Sequence, residues 1–360
     1  MKSLKENFQK AHILIIGSGI IGKFNALELS ELGFQITIID PTQHKNSSNA
    51  ALGLLMGNIY QKRRGRSWAL RKQSIELWPK WLEYLQEFNN ELNIEKPLIQ
   101  LTTNEKTFKK LEKFINENHD QDLKILERDS IFIKNINKAF QTRNIKGMIS
   151  FKDGRINAVS LLKTLDTYLK NKKVDFSKDE IIKIRKSNKQ WIAISRTKKE
   201  IKSDVIILCN SLNTINLIDN LSHNIKLKPV LGQAIEVGIN DAEVDLLSLP
   251  KQFNLNGKNI IPISKNKLII GSTDEYSTKP EKNIFEKLTN FIDKKPTWLV
   301  KGHITKKWFG IRSRPDGEPS PIMKNLEDGL IICTGFYKNG ILLAPACSKW
   351  VAKEIKNYLS

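Results

Sequence analysis

Residues 12 to 40 read HILIIGSGIIGKFNALELSELGFQITIID, and this stretch decides the fold. His12 to Ile16 is an apolar run short enough to be a buried parallel strand. From Ile20 to Leu32 the apolar residues recur at helical spacing, Gly33 suits a helix C-terminus, and Phe34 to Ile39 forms a second strand ending in Asp40. The spacing predicts a βαβ unit. Gly17, Gly19 and Gly22 fall between strand and helix as G-x-G-x-x-G. The first glycine permits the tight turn, the second lets backbone approach a pyrophosphate, and the third lets helix and sheet pack closely. The pyrophosphate would lie at the helix N-terminus, where unpaired N–H groups and the positive end of the dipole favour an anion. Asp40, 18 residues after Gly22, is placed to accept hydrogen bonds from a ribose. Strand, helix, second strand and terminal acid in register point to a dinucleotide rather than to a merely structural turn. They do not separate FAD from NAD.

Working outward, the chain has 360 residues, 40% of them hydrophobic, enough to bury a sizeable core in one or two domains. No apolar run approaches the roughly 20 residues that span a bilayer, and MKSLKENFQK leads into the first strand without a cleavable signal pattern. A cytoplasmic location is expected. Cys209, Cys333 and Cys347 lack metal-site spacing and are odd in number, so neither a disulfide nor a metal site is expected. The net charge of +21 invites a nucleic-acid reading, but Lys outnumbers Arg 48 to 11. Arg is the residue suited to planar recognition of phosphate, so the charge reads as a solvated lysine-rich surface. The dense cluster Lys62-Arg63-Arg64-Gly65-Arg66 is the exception that could overturn this.

Ser67 to Asn90 has helical periodicity, with Pro79 marking a break or kink and Trp68, Trp78 and Trp81 as core residues. Residues 98 to 145 read as short strands with a charged helix near Lys106 to Asn118. Val159 to Leu169 reads as a helix, and strands are expected at Ile181 to Ile184, Trp191 to Arg196, Val205 to Cys209 and Lys267 to Gly271. Two further stretches have unusual backbone needs. In HKNSSNAALGLLMGN, residues 44 to 58, Ser47, Ser48 and Asn49 offer hydrogen-bond donors and Gly53 allows close approach. An N-capped helix start explains this segment as well as a ligand does. In CTGFYKNGILLAP, residues 333 to 345, two glycines interrupt an apolar run that is too irregular for a strand.

Taken in order, these segments resemble a known family. Gly17 to Asp40, Ser47-Ser48-Asn49-Ala50-Ala51-x-Gly53, Pro229-x-x-Gly232-Gln233, Ile261-Pro262, Ile270-Gly271-Ser272-Thr273, Trp308-x-Gly310-x-Arg312, Asp316-Gly317-x-Pro319 and the C-terminal motif are similar to the FAD-dependent D-amino acid oxidase superfamily. The resemblance is nearest to its glycine oxidase branch, associated with thiamine synthesis. It implies noncovalent FAD and an α/β chain: a Rossmann-like FAD-binding domain (1–82, 146–217 and 305–360) with an inserted antiparallel-sheet α+β substrate domain (83–145 and 218–304). It also implies cofactor contacts at Gly17, Gly19, Ile20, Ile21, Gly22, Asp40, Ser47, Ser48, Leu52, Gly53 and Leu54, with Ile181 meeting the adenine. Lys338, Asn339, Gly340, Ile341 and Leu342 would place backbone N–H groups beside the flavin ring, opening a last helix from Ile341 to Leu359 with Pro345 in its first turn.

Arg312 matches the arginine that grips a substrate carboxylate, a task suited to a planar guanidinium fork. Lys338, Leu54 and Asn259 would share the catalytic wall. Asn259 replaces a tyrosine of the pattern, Ile263 and Lys338 replace arginines, Asn210 replaces a glycine, and one residue is missing between Arg312 and Asp316. The implied reaction is oxidation of the C–N bond of a small amino acid or amine, with oxygen or another acceptor taking the electrons. A tRNA-modifying flavoprotein and a non-catalytic FAD-binding protein are the competing readings.

Overall fold

The computed structural model describes residues 11–41, 47–221, 223–240 and 244–360. Its first sheet has six strands in the order Ile322–Glu327, Leu330–Thr334, Val205–Leu208, His12–Ile16, Gln35–Ile39 and Asp175–Ser177. All neighbours are parallel except the edge strand Ile322–Glu327, which is antiparallel. Strand alternation explains what covers each face. Ile13 and Ile15 turn to one side, into a core shared with the helices Ile20–Glu31, Gly65–Gln86, Ala158–Asn171 and Gly340–Leu359. Leu14 and Ile16 turn to the other side, where Ile184, Trp191 and Ala193 of a three-stranded sheet seal them. The central parallel strands His12–Ile16, Val205–Leu208 and Leu330–Thr334 are therefore buried on both faces, as their largely apolar sequence requires.

The second sheet has eight strands, from His303–Pro315 and Leu227–Gly238 through Lys267–Gly271, Lys258–Ser264, Phe253–Leu255, Leu98–Thr102 and Lys146–Ser150 to Leu123–Ile125. Only Phe253–Leu255 and Leu98–Thr102 pair in parallel. One face carries Ile99, Leu101, Ile235, Val237, Ile260 and Ile270, packed against Ile133, Ile136, Leu288 and Trp298 from short helices. The alternate residues Gln100, Ala234 and Asn259 face the opposite way and line a cavity. The expected boundary at 305 falls inside the strand His303–Pro315, which pairs with Leu227–Gly238 from end to end with one register shift between Glu236 and Val237, and the one at 146 opens Lys146–Ser150 of the same sheet.

Several local expectations change. The tryptophan-rich helix is Gly65–Gln86 and continues through Pro79. Trp78 and Trp81 are buried, while Trp68 is only half-buried beneath Arg63, whose guanidinium carbon lies 4.9 Å from its ring centre. A second helix, Ile131–Phe140, follows the charged helix Glu105–Asn118, and Ser130 caps it by accepting from Ile133 N–H at 3.3 Å. The last helix starts at Gly340, so Pro345 lies in its second turn rather than its first. Its neighbours bond outward instead: Ala346 N–H donates to Ser74 Oγ at 3.3 Å, and Trp78 Nε1 donates to Leu342 O at 3.0 Å.

Candidate functional site

The strand–turn–helix at residues 12 to 31 is held by few atoms. Gly17 adopts φ +110°, and its N–H donates to Ile39 O at 2.9 Å, tying the turn to the second strand. A Cβ on Gly22 would stand 1.9 Å from Gly17 O, which no side chain tolerates. Asp40 Oδ2 accepts from Ser18 N–H at 2.7 Å, and Ser48 Oγ accepts from Ile20 N–H at 3.1 Å. Ser48 thereby fastens the segment after residue 46 onto the first turn of the helix. The N-cap residue, Gly19, has no side chain to cap the helix, so Ser48 is the side chain that meets its first turn.

The last helix, Gly340–Leu359, begins at Asn339 and is uncapped by any side chain. Gly340 and Ile20 face each other, since a Cβ added at Gly340 would lie 3.6 Å from the Ile20 side chain. Two helix N-termini therefore meet at one place: Ile20 N–H is taken by Ser48, while the other first-turn N–H groups have no side-chain acceptor among the described residues, which suits a ligand that is anionic at two points. A cavity of about 670 Å³ opens there. Of the residues singled out in the sequence, Ile20, Ser47, Ser48, Leu52, Gly53, Leu54, Lys338, Asn339, Gly340 and Ile341 line it, together with Asn259 and Arg312. Gly17, Gly19, Ile21, Gly22, Asp40 and Leu342 stand behind this wall, in or beside the two helix starts. Ile181 is not in the wall: its side chain packs under the sheet with Ile16 and Ile39. This donor set fits the pyrophosphate and ring of a flavin dinucleotide. Among the described residues no group of three His, Cys, Asp or Glu could hold a metal ion.

The strand carrying Arg312 shows why its motif alternates. Trp308 Nε1 donates to Ala50 O at 3.1 Å, and Gly310 leaves room for Ala50, whose Cβ would be 2.8 Å from a Cβ at that position. Arg312, on the same face, reaches the cavity by lying across Gly232; a Cβ there would meet its Nη2 at 2.2 Å. The guanidinium donates from Nη1 to Thr273 O and Asp274 Oδ1, both at 3.0 Å, and from Nη2 to Ser272 Oγ at 2.5 Å. Asp274 also pairs with Lys338 Nζ and accepts from Tyr337 Oη at 3.2 Å. Burial lowers the pKa of Arg312 from its usual value, opposed by Asp274, and the guanidinium stays charged. Asn259 is tied by Asn254 Nδ2 at 2.8 Å, so its amide oxygen is already engaged.

Sequence reasoning missed Asp274, although it follows the quoted Gly271-Ser272-Thr273. It also missed Tyr60, Gln100 and Arg71, which line the cavity. For Arg71 a signal existed: it falls on the apolar stripe of its helix with Ser74, Trp78, Trp81 and Leu85. The basic cluster at 62 to 66 is partly structural. Arg63 turns inward to Asp120 at 2.9 Å and donates to Asn58 O at 2.9 Å.

Comparison with known proteins gives consistent findings. The family model described as FAD dependent oxidoreductase matches residues 12–354. Glycine oxidase of Pseudomonas aeruginosa is 23% identical over 351 residues, covering 94% of this chain and 93% of its own length. Glycine oxidase of Geobacillus kaustophilus is 24% identical over 374 residues, covering 96% and 92%. The crystal structure of glycine oxidase from Bacillus cereus superposes with a TM-score of 0.81 at 22% identity, covering 97% of this chain and 95% of that one.

Proposed function

Because the chain belongs to the FAD dependent oxidoreductase family, and is an enzyme that uses FAD, we propose that it oxidises the C–N bond of a small amino acid or amine. Water hydrolyses the imine so formed to the carbonyl product, an oxo acid where the substrate is an amino acid, with release of ammonia or an amine. When bound, FAD supplies the acceptor for the two electrons that leave the substrate carbon as hydride, and oxygen or another acceptor takes them on. The chain's own residues bind, orient and exclude water. The single observation that carries this reading is that Arg312 and the uncapped start of the helix Gly340–Leu359 share one cavity.

In this reading Arg312 holds the substrate carboxylate. Nη1 is spent on Thr273 and Asp274 and one Nη2 N–H on Ser272, which leaves one N–H on Nη2 and the Nε N–H without an acceptor among the described residues. Two donors with a fixed relative geometry suit a carboxylate and fix its Cα–H, and such orientation alone contributes several kcal/mol. Lys338 adds positive charge beside Asp274, and Leu54 and Asn259 form the wall that limits side-chain size. The N-terminus of the last helix favours negative charge on the cofactor ring by up to ~2 kcal/mol when partly buried. The six-stranded sheet with its helices holds the dinucleotide, and the eight-stranded sheet covers the substrate. The test is an anaerobic titration of the purified holoprotein with glycine, sarcosine, D-alanine, D-proline and further amines. Loss of the oxidised flavin spectrum is expected with at least one of them; an unchanged spectrum across the panel would sink the assignment.

A further inference from the structure

Among the described residues that line the cavity, Arg71 is the buried cation with the fewest partners. It is 7% exposed, sits on the helix Gly65–Gln86 and lines the same cavity as Arg312. Its only hydrogen bond among the described residues runs from Nη1 to Met56 O at 3.0 Å, and its guanidinium stacks on Tyr60 with 3.9 Å to the ring centre. A guanidinium carries five N–H donors, so four find no acceptor in the described chain, buried Nε among them. No carboxylate forms an ion pair with it there. Asp153 contributes attraction, but both its oxygens are taken by the backbone N–H groups of Gly57, Asn58 and Ile59 at 2.6 to 2.8 Å. Burying a charge without a counterion is costly, and one buried hydrogen bond plus one stacking contact does not offset it. Arg71 therefore presents to the cavity a positive charge that no carboxylate among the described residues pairs. Lys62, exposed on the same wall, adds positive potential.

We propose that this cavity takes an amino acid with a second anionic group: Arg312 receives the α-carboxylate and Arg71 the distal acid. This rests on the amino-acid reading above and narrows it to acidic substrates. Glycine and alanine fill only one of the two cationic positions. An acidic side chain, or an acidic substituent on the amine, fills both and relieves the buried charge of Arg71. The alternative role for Arg71 is as a strut under Met56, which predicts no preference among anions.

Binding of malonate, succinate and glutarate to the holoprotein is measured by calorimetry beside acetate, propionate and butyrate. Anaerobic flavin reduction by both enantiomers of aspartate and glutamate is compared with glycine and alanine. The best dicarboxylate is expected to bind on the order of 10- to 100-fold tighter than its monocarboxylate counterpart, the scale of one charge-assisted pair. Arg71→Met should bring that ratio close to one with the flavin absorbance retained, and Arg71→Lys should restore part of it. Equal binding of the two series by the wild-type protein overturns the proposal, and so does a ratio that survives in Arg71→Met. Should Arg71→Met fail to fold, the wild-type ratio and the Arg71→Lys value still decide. If no amino acid reduces the flavin while dicarboxylates bind through Arg71, the oxidation reading fails and the second anion site stands. If glycine or alanine reduces the flavin and dicarboxylates show no preference, the reverse holds.

Discussion

Arg312 Nη1 lies 3.0 Å from Asp274 Oδ1, so the guanidinium assigned to a substrate carboxylate already holds a carboxylate of its own chain. Lys338 and Tyr337 share the same acid. Asp274 thus does two opposed things: it fixes one edge of the guanidinium and it reduces the positive charge that a substrate meets.

Two substitutions separate those effects. Asp274→Asn keeps an acceptor oxygen and removes the charge, so KM for an amino-acid substrate should fall by up to about fivefold, the scale of a partly exposed ion pair. Asp274→Ala removes the acceptor as well, and kcat should fall because Arg312 loses its orientation. Steady-state kinetics on both variants check this. A raised KM in Asp274→Asn would mean the charge itself organises the site.

Arg312→Ala should leave flavin absorbance intact and lower kcat/KM by on the order of 100-fold or more, through lost charge pairing and lost alignment. Arg312→Lys should recover only part, since an ammonium cannot form the paired fork. Lys338→Ala should cost less than either, because its ammonium pairs with Asp274 at an exposed position while the Gly340 N–H is backbone. Wild-type turnover by Arg312→Ala would remove the substrate-gripping role.

Two glycine substitutions should fail in different ways. In Gly232→Ala the new Cβ meets the movable end of Arg312, so the fold should survive while kcat/KM drops as the guanidinium is pushed aside. In Gly22→Ala the Cβ meets Gly17 backbone oxygen, which cannot step away without opening the turn. Flavin content and thermal melting distinguish them: retained in the first, lost or sharply reduced in the second.

FAD should bind noncovalently, with acid precipitation releasing its colour to the supernatant. Asp40→Ala should weaken FAD affinity by roughly 10- to 100-fold, as a charged hydrogen bond is lost. Part of that loss comes from the turn itself, because Asp40 also holds Ser18 N–H at 2.7 Å. Flavin fluorescence titration of the apoprotein measures it, and unchanged affinity would place the ribose elsewhere.

Stability should carry an acid-sensitive contribution from Asp120. Burial would raise its pKa, but the Asp122 N–H and the Arg63 guanidinium together hold it below the usual carboxylate value. A lowered folded-state pKa means the stabilisation is full above the unfolded value near 4 and is lost as pH falls through the folded one. Asp120→Asn should therefore be less stable than wild type at pH 7 by about 1 kcal/mol in denaturant unfolding, with the gap closing below about pH 4. A gap that persists in acid would assign the effect to packing around Trp68.

Those predictions draw on two kinds of information. The sequence by itself determined the βαβ unit, the glycines of its turn and the irregular start of the last helix, because these are local. A buried strand, a positive φ at Gly17 and a Cβ-free crossing at Gly22 each leave a mark within a few residues. It also marked Arg312, through a motif whose alternation the strand His303–Pro315 explains. Other features depended on what lies across the fold. Asp274 reaches Arg312 from 38 residues away. Arg63 turns from an apparent basic patch to Asp120, and Arg71 enters the cavity wall. Periodicity tells which face of a helix or strand a residue occupies, but not which element covers that face. Strand register and helix packing decide that, and they alone set which charges are paired and which are left to meet a ligand.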